Sequence, residues 1–486
     1  MALNGFTDFS GGTTINGGDV TAGANQAIGT GAVTINLGSL NLAANTAPNT
    51  FNLAGGTLAA SGATNLPVTQ IGANSFGVIS GILSGAGSLT VNTPNLLTLS
   101  GVNTFTGTSN VLTAGTLNLN NAAALGAAAA SWTLNGGSLD NTSAAGITTG
   151  ANPITLGGNV GFTGTQSLNL AGTVALTANR SLSVLQNTLT LSGIVSGGFS
   201  LTKNGFGNLT LSAANTYTGG TVINAGVATA GNAAAFGTGS ITVNGINNQV
   251  TNVFTGGTVA NASSGMGGTL DLAALTPTNS IILAGGALVG TAINPANVSG
   301  YGFIQGAMTG AGVLTVNTTG ALTIYGPQAF TGGTTLTAGT LNLMNPTSMG
   351  TGAFNWNGGT LDNTTTSWVS PGNAFTLGGN VTAQGTVGMT MNGATTVAVA
   401  RTVTVNAGGI WFGGAVTLTG ALTKSGPGIL GLNGVANSGA GGINVLAGTL
   451  YTDTSTITAP SFGTGPVAIS AGANVVINSK PAADPA

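Results

Sequence analysis

A chain of 486 residues in which only 2% carry charge, with no His and no Cys, stands far from the roughly 25% charge of an ordinary soluble domain. Seven acidic residues, all of them Asp, against five basic ones leave a formal net charge of −2, so there is no basic footprint for a nucleic acid. Without Cys there are neither disulfides nor thiolate metal sites, and stability has to come from packing and backbone hydrogen bonds. Asn, Thr, Ser and Gln must keep the surface wet, and copies carrying so little charge can approach one another without the usual repulsion. Self-association is therefore expected.

The chain begins MALNGFTDFSGG, which lacks the basic and then apolar regions of a signal peptide. Either such a segment has been removed or the chain reaches its destination another way. Leu3 to Gly12 aligns without a gap on Leu211 to Gly220, so the sequence opens inside a repeat. The longest bland run, Ala122 to Trp132, is too short for a bilayer, which needs about 20 residues, and no membrane insertion is expected.

Eighty-six Gly punctuate short runs of Leu, Val, Ile and Thr instead of clustering into linkers, which is the habit of a solenoid. A large apolar residue followed by Gly and a small pair recurs at Ile28, Leu125, Phe236, Met349 and Phe462, at successive offsets of 97, 111, 113 and 113. A repeating unit of about 110 residues follows, several solenoid coils long. An aromatic before a Thr or Ser and Gly turn keeps the same beat at Phe9, Phe105, Tyr217 and Phe330, with a degenerate copy at Asn437 to Gly442. GAGSLTVNT at Gly85 returns as GAGVLTVNT at Gly310, and NGGSLDNT at Asn135 as NGGTLDNT at Asn357, a double-length duplication with an offset near 221 to 225. Four Trp and four Tyr are too few to specify an aromatic binding surface.

From Leu201 to Gly226 the chain reads LTKNGFGNLTLSAANTYTGGTVINAG: strand, Gly turn, strand, polar turn, strand. This stretch resembles the passenger-associated repeat of bacterial autotransporter proteins, whose members run LTK, Gly, x, Gly, LTLSG, NTYTGG and then a strand ending in AGTL. The resemblance implies an extracellular, right-handed parallel β-helix. Coils of roughly 20 to 25 residues, with rungs about 4.8 Å apart, give some 20 to 22 coils. We expect one continuous all-β solenoid over residues 1–479 and a tail at 480–486, with Leu, Val, Ile, Ala and Phe inside and Asn and Thr ladders at the turns. Val250 to Gly300 departs most from the repeat and is where a loop would bulge. The copy that begins at Leu422 runs on through Ile477 to SKPAADPA. Neither end shows a cap, and an uncovered rung is an edge open to pairing, so the expectation is either end-to-end stacking into a filament or a sequence cut from a longer passenger.

Charge is rare enough for its placement to be visible. Arg180 and Arg401 are 221 apart, Lys203 and Lys424 also 221, and Asp140 and Asp362 are 222 apart. These six either form structural ion pairs that pin neighbouring coils through charge-assisted hydrogen bonds, or were copied by duplication and lie on a solvated face. Catalysis has little to work with. Asp8, Asp19, Asp140, Asp271, Asp362, Asp453 and Asp484 are scattered singly, whereas acid and base pairs need titratable groups in mutual reach. GGDV at Gly17 and GGTLD at Gly267 are too isolated for a calcium nonapeptide array, and no phosphate loop appears. The expectation is a non-catalytic, cofactor-free extracellular protein that assembles with itself as a surface fibre or layer. The second expectation is an autotransporter passenger serving as a spacer or as an adhesin toward a cell-surface or glycan ligand.

Overall fold

The structure is a computed structural model of the chain, and it describes residues 1–60, 65–245, 268–272, 275, 280–290, 292–433, 437–453 and 462–478. Part of Val250–Gly300, and the whole of 480–486 with Lys480 and Asp484, lie outside the described residues. Among the described residues there is no α-helix, and the helical segments are the short 3₁₀ turns Val68–Gln70 and Pro295–Asn297. The fold is a parallel β-solenoid, compact in two units, one running from Met1 to Thr242 and the other from Ser280 onward.

In the first unit the coils from Trp132 to Leu211 contribute short strands to three stacks, whereas the earlier strands Phe51–Ala59, Thr90–Leu99 and Asn110–Leu119 are 9 or 10 residues long, and the last of them pairs with two of those stacks. Trp132–Leu134, Ile154–Leu156 and Val174–Leu176 pair in parallel on one side. Ser138–Asp140, Val160–Phe162, Arg180–Val184 and Leu201–Asn204 pair on the second. Leu168–Leu170, Thr188–Leu191 and Asn208–Leu211 pair on the third. Alternation decides which face is inside. In Leu168–Leu170 both Leu are buried and Asn169 is half-buried, as a period of two requires. Register then carries Leu168 to Leu189 and Leu189 to Leu209, so one buried aliphatic column is built from residues about one coil apart.

The second unit repeats the scheme. Phe354–Trp356, Phe375–Leu377, Thr395–Val397 and Val416–Leu418 form one stack. Thr360–Asp362, Val381–Ala383, Arg401–Val405, Leu422–Ser425 and Ile443–Val445 form the next. Met389–Met391, Gly409–Phe412, Ile429–Leu432 and Thr449–Asp453 form the third.

The two sequence markers are halves of one device. Phe105, Tyr217 and Phe330 are fully buried, and the Gly of the next coil's marker lies against each: a Cβ at Gly126 or Gly350 would collide with the ring, and one at Gly237 with the Tyr217 carbonyl oxygen. The backbone is tied at the same place, by Ala127 N to Phe105 O at 2.9 Å, Thr238 N to Tyr217 O at 3.0 Å and Thr351 N to Phe330 O at 2.9 Å. Above two of these markers a buried Asn of the following coil closes the turn. Asn152 Nδ2 donates to Ala127 O at 2.7 Å, and Asn373 Nδ2 donates to Gly352 O at 2.7 Å. Asn49 Nδ2 does the same for Gly31 O at 2.6 Å.

Two residues before the aromatic sits a second polar clasp. Asn103 accepts from Leu83 N and donates to Ala124 O, both at 2.9 Å, so one side chain joins three successive coils. Asn215 joins Val195 N to Ala235 O in the same way. Gln328 accepts from Met308 N at 2.6 Å, and Asn437 accepts from Val416 N at 2.8 Å. These polar side chains are buried yet bonded, the condition under which burial is tolerable.

Candidate functional site

Each of the six duplicated charges directs its hydrogen bonds to neutral groups of its own turn and of neighbouring coils. Asp140 is 5% exposed. Its Oδ1 accepts from Asn141 N at 2.8 Å and from Thr165 N at 2.9 Å, and its Oδ2 accepts from Thr165 Oγ1 at 2.8 Å. Asp362 repeats this with Asn363 N at 2.8 Å, Thr386 N at 3.1 Å and Thr386 Oγ1 at 2.9 Å. Arg180 Nε donates to Leu156 O at 3.2 Å, and Arg401 Nε to Leu377 O at 3.3 Å.

The lysines are the sharpest departure from a solvated face, since both are 0% exposed. Lys203 Nζ donates to the carbonyls of Asn204, Gly205 and Ala225 at 2.9, 2.6 and 3.1 Å. Lys424 Nζ donates to those of Ser425, Gly426 and Ala447 at 2.8, 2.7 and 2.9 Å. An ammonium has three donors, and here each finds a backbone oxygen: two in its own Gly turn and one in the next coil. Charge-assisted bonds of this kind are stronger than neutral ones, so a single cation clasps a turn through its backbone alone.

Burial lowers both ammonium groups from 10.5 to about 8, so each remains mostly charged at neutral pH. In the unfolded chain the same groups hold their protons up to about 10.4. Above pH 8 the unfolded state therefore binds more protons, and stability must rise with pH. The slope is at most about 1.4 kcal/mol per pH unit for each lysine. Urea midpoints taken from pH 7.5 to 9.5 should climb, and the climb should vanish in a Lys203→Met, Lys424→Met double variant. A flat wild-type profile would contradict the assignment. The window stops below the ionisation of unfolded Tyr, because burial raises the Tyr217 phenol and its titration would act in the opposite sense.

Among the described residues no group of three or more acidic residues could hold a metal ion, and no helix is long and apolar enough to cross a membrane. The outward surface of the second unit does carry a feature that the count of aromatic residues conceals. Trp368, half exposed, and Trp411, half-buried, meet with ring centroids 4.7 Å apart at 50°. Trp368 Nε1 donates to Thr390 Oγ1 at 2.8 Å. Thr390 pairs in register with Trp411, Trp411 with Gly431, and Gly431 with Tyr451. The numbers of the two Trp differ by 43, about two coils. That spacing is the available signal, and reading it requires the coil length to be known. The other two, Trp132 and Trp356, are core residues at 1% and 0% exposure.

Comparison with known proteins finds a repeat match and one curated relative. Residues 1–22, 96–119, 201–227 and 422–451 match the passenger-associated-transport-repeat. The chain is 30% identical over 306 residues to the adhesin BmaC autotransporter of Brucella suis biovar 1 (strain 1330), across 60% of this chain and 8% of that protein. It thus spans a small fraction of that relative's length. No solved structure matches it.

Proposed function

Because four segments of this chain match the passenger-associated-transport-repeat and 60% of it is 30% identical to part of an autotransporter adhesin, we propose that it is a passenger segment displayed outside a bacterial cell as a non-catalytic, adhesive spacer. The observation that carries the reading is where the repeat falls. The matched segments 96–119, 201–227 and 422–451 contain Asn103 with Phe105, Lys203 with Asn215 and Tyr217, and Lys424 with Asn437. These are the buried clasps that tie one coil to the next.

A wall built this way needs no disulfide, metal or titrating surface, which suits exposure to changing external conditions. The scattered carboxylates support the absence of catalysis: Asp140 and Asp362 have their oxygens committed to structural donors. The comparisons favour the passenger over a self-assembling fibre, the other expectation drawn from composition. Antibodies raised against the purified chain should label intact cells of the source bacterium, and external protease should remove the label. Labelling that appears only after permeabilisation would overturn the proposal.

A further inference from the structure

The two units share one architecture, which makes their differences informative. In the third strand stack, Leu168, Leu189 and Leu209 of the first unit occupy the register positions of Met389, Ile410 and Leu430 in the second, each 221 higher in number. The inward positions stay large and apolar. The outward ones change together: Ser167, Thr188 and Thr210 are replaced by Gly388, Gly409 and Gly431, and Thr190 by Trp411. At the neighbouring corner, where the offset is 222, Gly146 is replaced by Trp368.

None of the three Gly has a positive φ, so the backbone does not require them. The rings do. A Cβ at Gly388 would run into the six-membered ring of Trp368, one at Gly409 into that of Trp411, and one at Gly431 into the five-membered ring of Trp411. Gly409 and Gly431 are accordingly buried beneath an indole although they face outward. Three hydroxyl side chains have been cleared to seat two indoles flat against bare backbone, and Thr390 fixes the edge of one of them.

We propose that this surface, Trp368 and Trp411 with Thr390 and Tyr451 in the same row, binds a neutral saccharide. No residue of Met389–Met391, Gly409–Phe412 or Ile429–Leu432 is charged, and Asp453 comes only at the end of the following strand. The strands that seat the indoles thus have nothing for an ionic ligand. An indole laid flat offers an apolar, electron-rich face to the C–H face of a pyranose ring. The Thr390 and Tyr451 hydroxyls offer bonds to its hydroxyl groups. Rungs about 4.8 Å apart extend the row along the stack, which favours an oligosaccharide over a single sugar. The area is that of a few side chains, well below the roughly 800 Å² per partner of a stable protein interface, so a second copy of the chain is the poorer fit. The inference rests on the passenger reading only for its setting, since the surface exists whether or not the chain is exported.

The test is calorimetry and Trp emission on the purified full chain with cellohexaose, chitohexaose, laminarihexaose and mannohexaose. At least one should bind, and Trp368→Ala and Trp411→Ala should each weaken it about tenfold or more. The double variant Trp411→Thr, Gly431→Thr recreates the row that already folds in the first unit, as Thr190 and Thr210. It should keep the wild-type urea midpoint and lose binding, while Thr190→Ala should leave binding unchanged. No binding to any of the four sugars would overturn the proposal, as would equal binding by the double variant. Trp emission that answers only to phosphatidylcholine vesicles or to rising protein concentration would overturn it too, assigning the face to a lipid surface or to a second copy instead. These results are independent of surface labelling, so this inference and the passenger reading fail separately.

Discussion

Asp140→Ala should destabilise the coils around it by about 3 kcal/mol, seen as a drop in urea midpoint and as faster amide exchange around Thr165. The carboxylate accepts three hydrogen bonds at 2.8 to 2.9 Å from a 5% exposed position. Truncation orphans the Asn141 and Thr165 amides and the Thr165 hydroxyl together. A buried donor left without its acceptor costs about 1 to 3 kcal/mol, and partial access of water at the corner keeps the sum near the lower end. Asp140→Asn keeps one acceptor oxygen and should cost less than half as much. Asp362→Ala should reproduce the effect at Thr386, because its three bonds go to the same kinds of donor at closely similar lengths. If either Ala variant stays within about 0.5 kcal/mol of wild type, the range of an ordinary surface change, the carboxylates are not clasps.

Phe105→Ala should cost more, about 3 to 5 kcal/mol, the usual effect of emptying a buried aromatic site. The ring is fully buried, touches Trp132 edge-on with centroids 6.4 Å apart, and lies beneath Gly126 of the next coil. Parallel strands leave the coils little freedom to collapse into the void, since each is held by ladders above and below. Gly126→Val attacks the same contact from the other side and should destabilise at least as much, by overpacking against the ring and by forcing a β-branched residue into a backbone with φ 87°. Solenoids transmit damage mainly to neighbouring coils. Hydrogen exchange should therefore accelerate near residues 83 to 134 while the second unit keeps its protection. Uniform loss of protection in both units would contradict this picture of stacked, locally coupled coils.

Much of the fold is legible in the sequence. Strands follow from alternation such as Leu189, Thr190, Leu191, and Gly-punctuated repeats without helix signals leave stacked parallel coils as the way to bury them. The markers are visible too, but not their meaning. Nothing in a linear reading says that the ring of Phe105 lies under Gly126, because the contact crosses a coil whose length is known only once the strands are paired. The lysines depart from the simplest expectation for a physical reason. Copied charge on a neutral chain is most simply solvated, and only a turn that aims three carbonyls inward makes the buried ammonium tolerable. Counting hides Trp368 and Trp411, since two aromatic residues suffice when register brings them together and Gly clears their seats.

The most direct measurement of the account is residue-resolved amide exchange at Thr165 and Thr386. Both amides lie in corners and are bonded to buried carboxylates, not to a neighbouring strand. If rare charges clasp the coils, these two should be protected nearly as well as strand amides such as those of Leu182 and Val403. Exchange at the rate of the exposed turn amides would show the corners open, and the clasp account would be wrong.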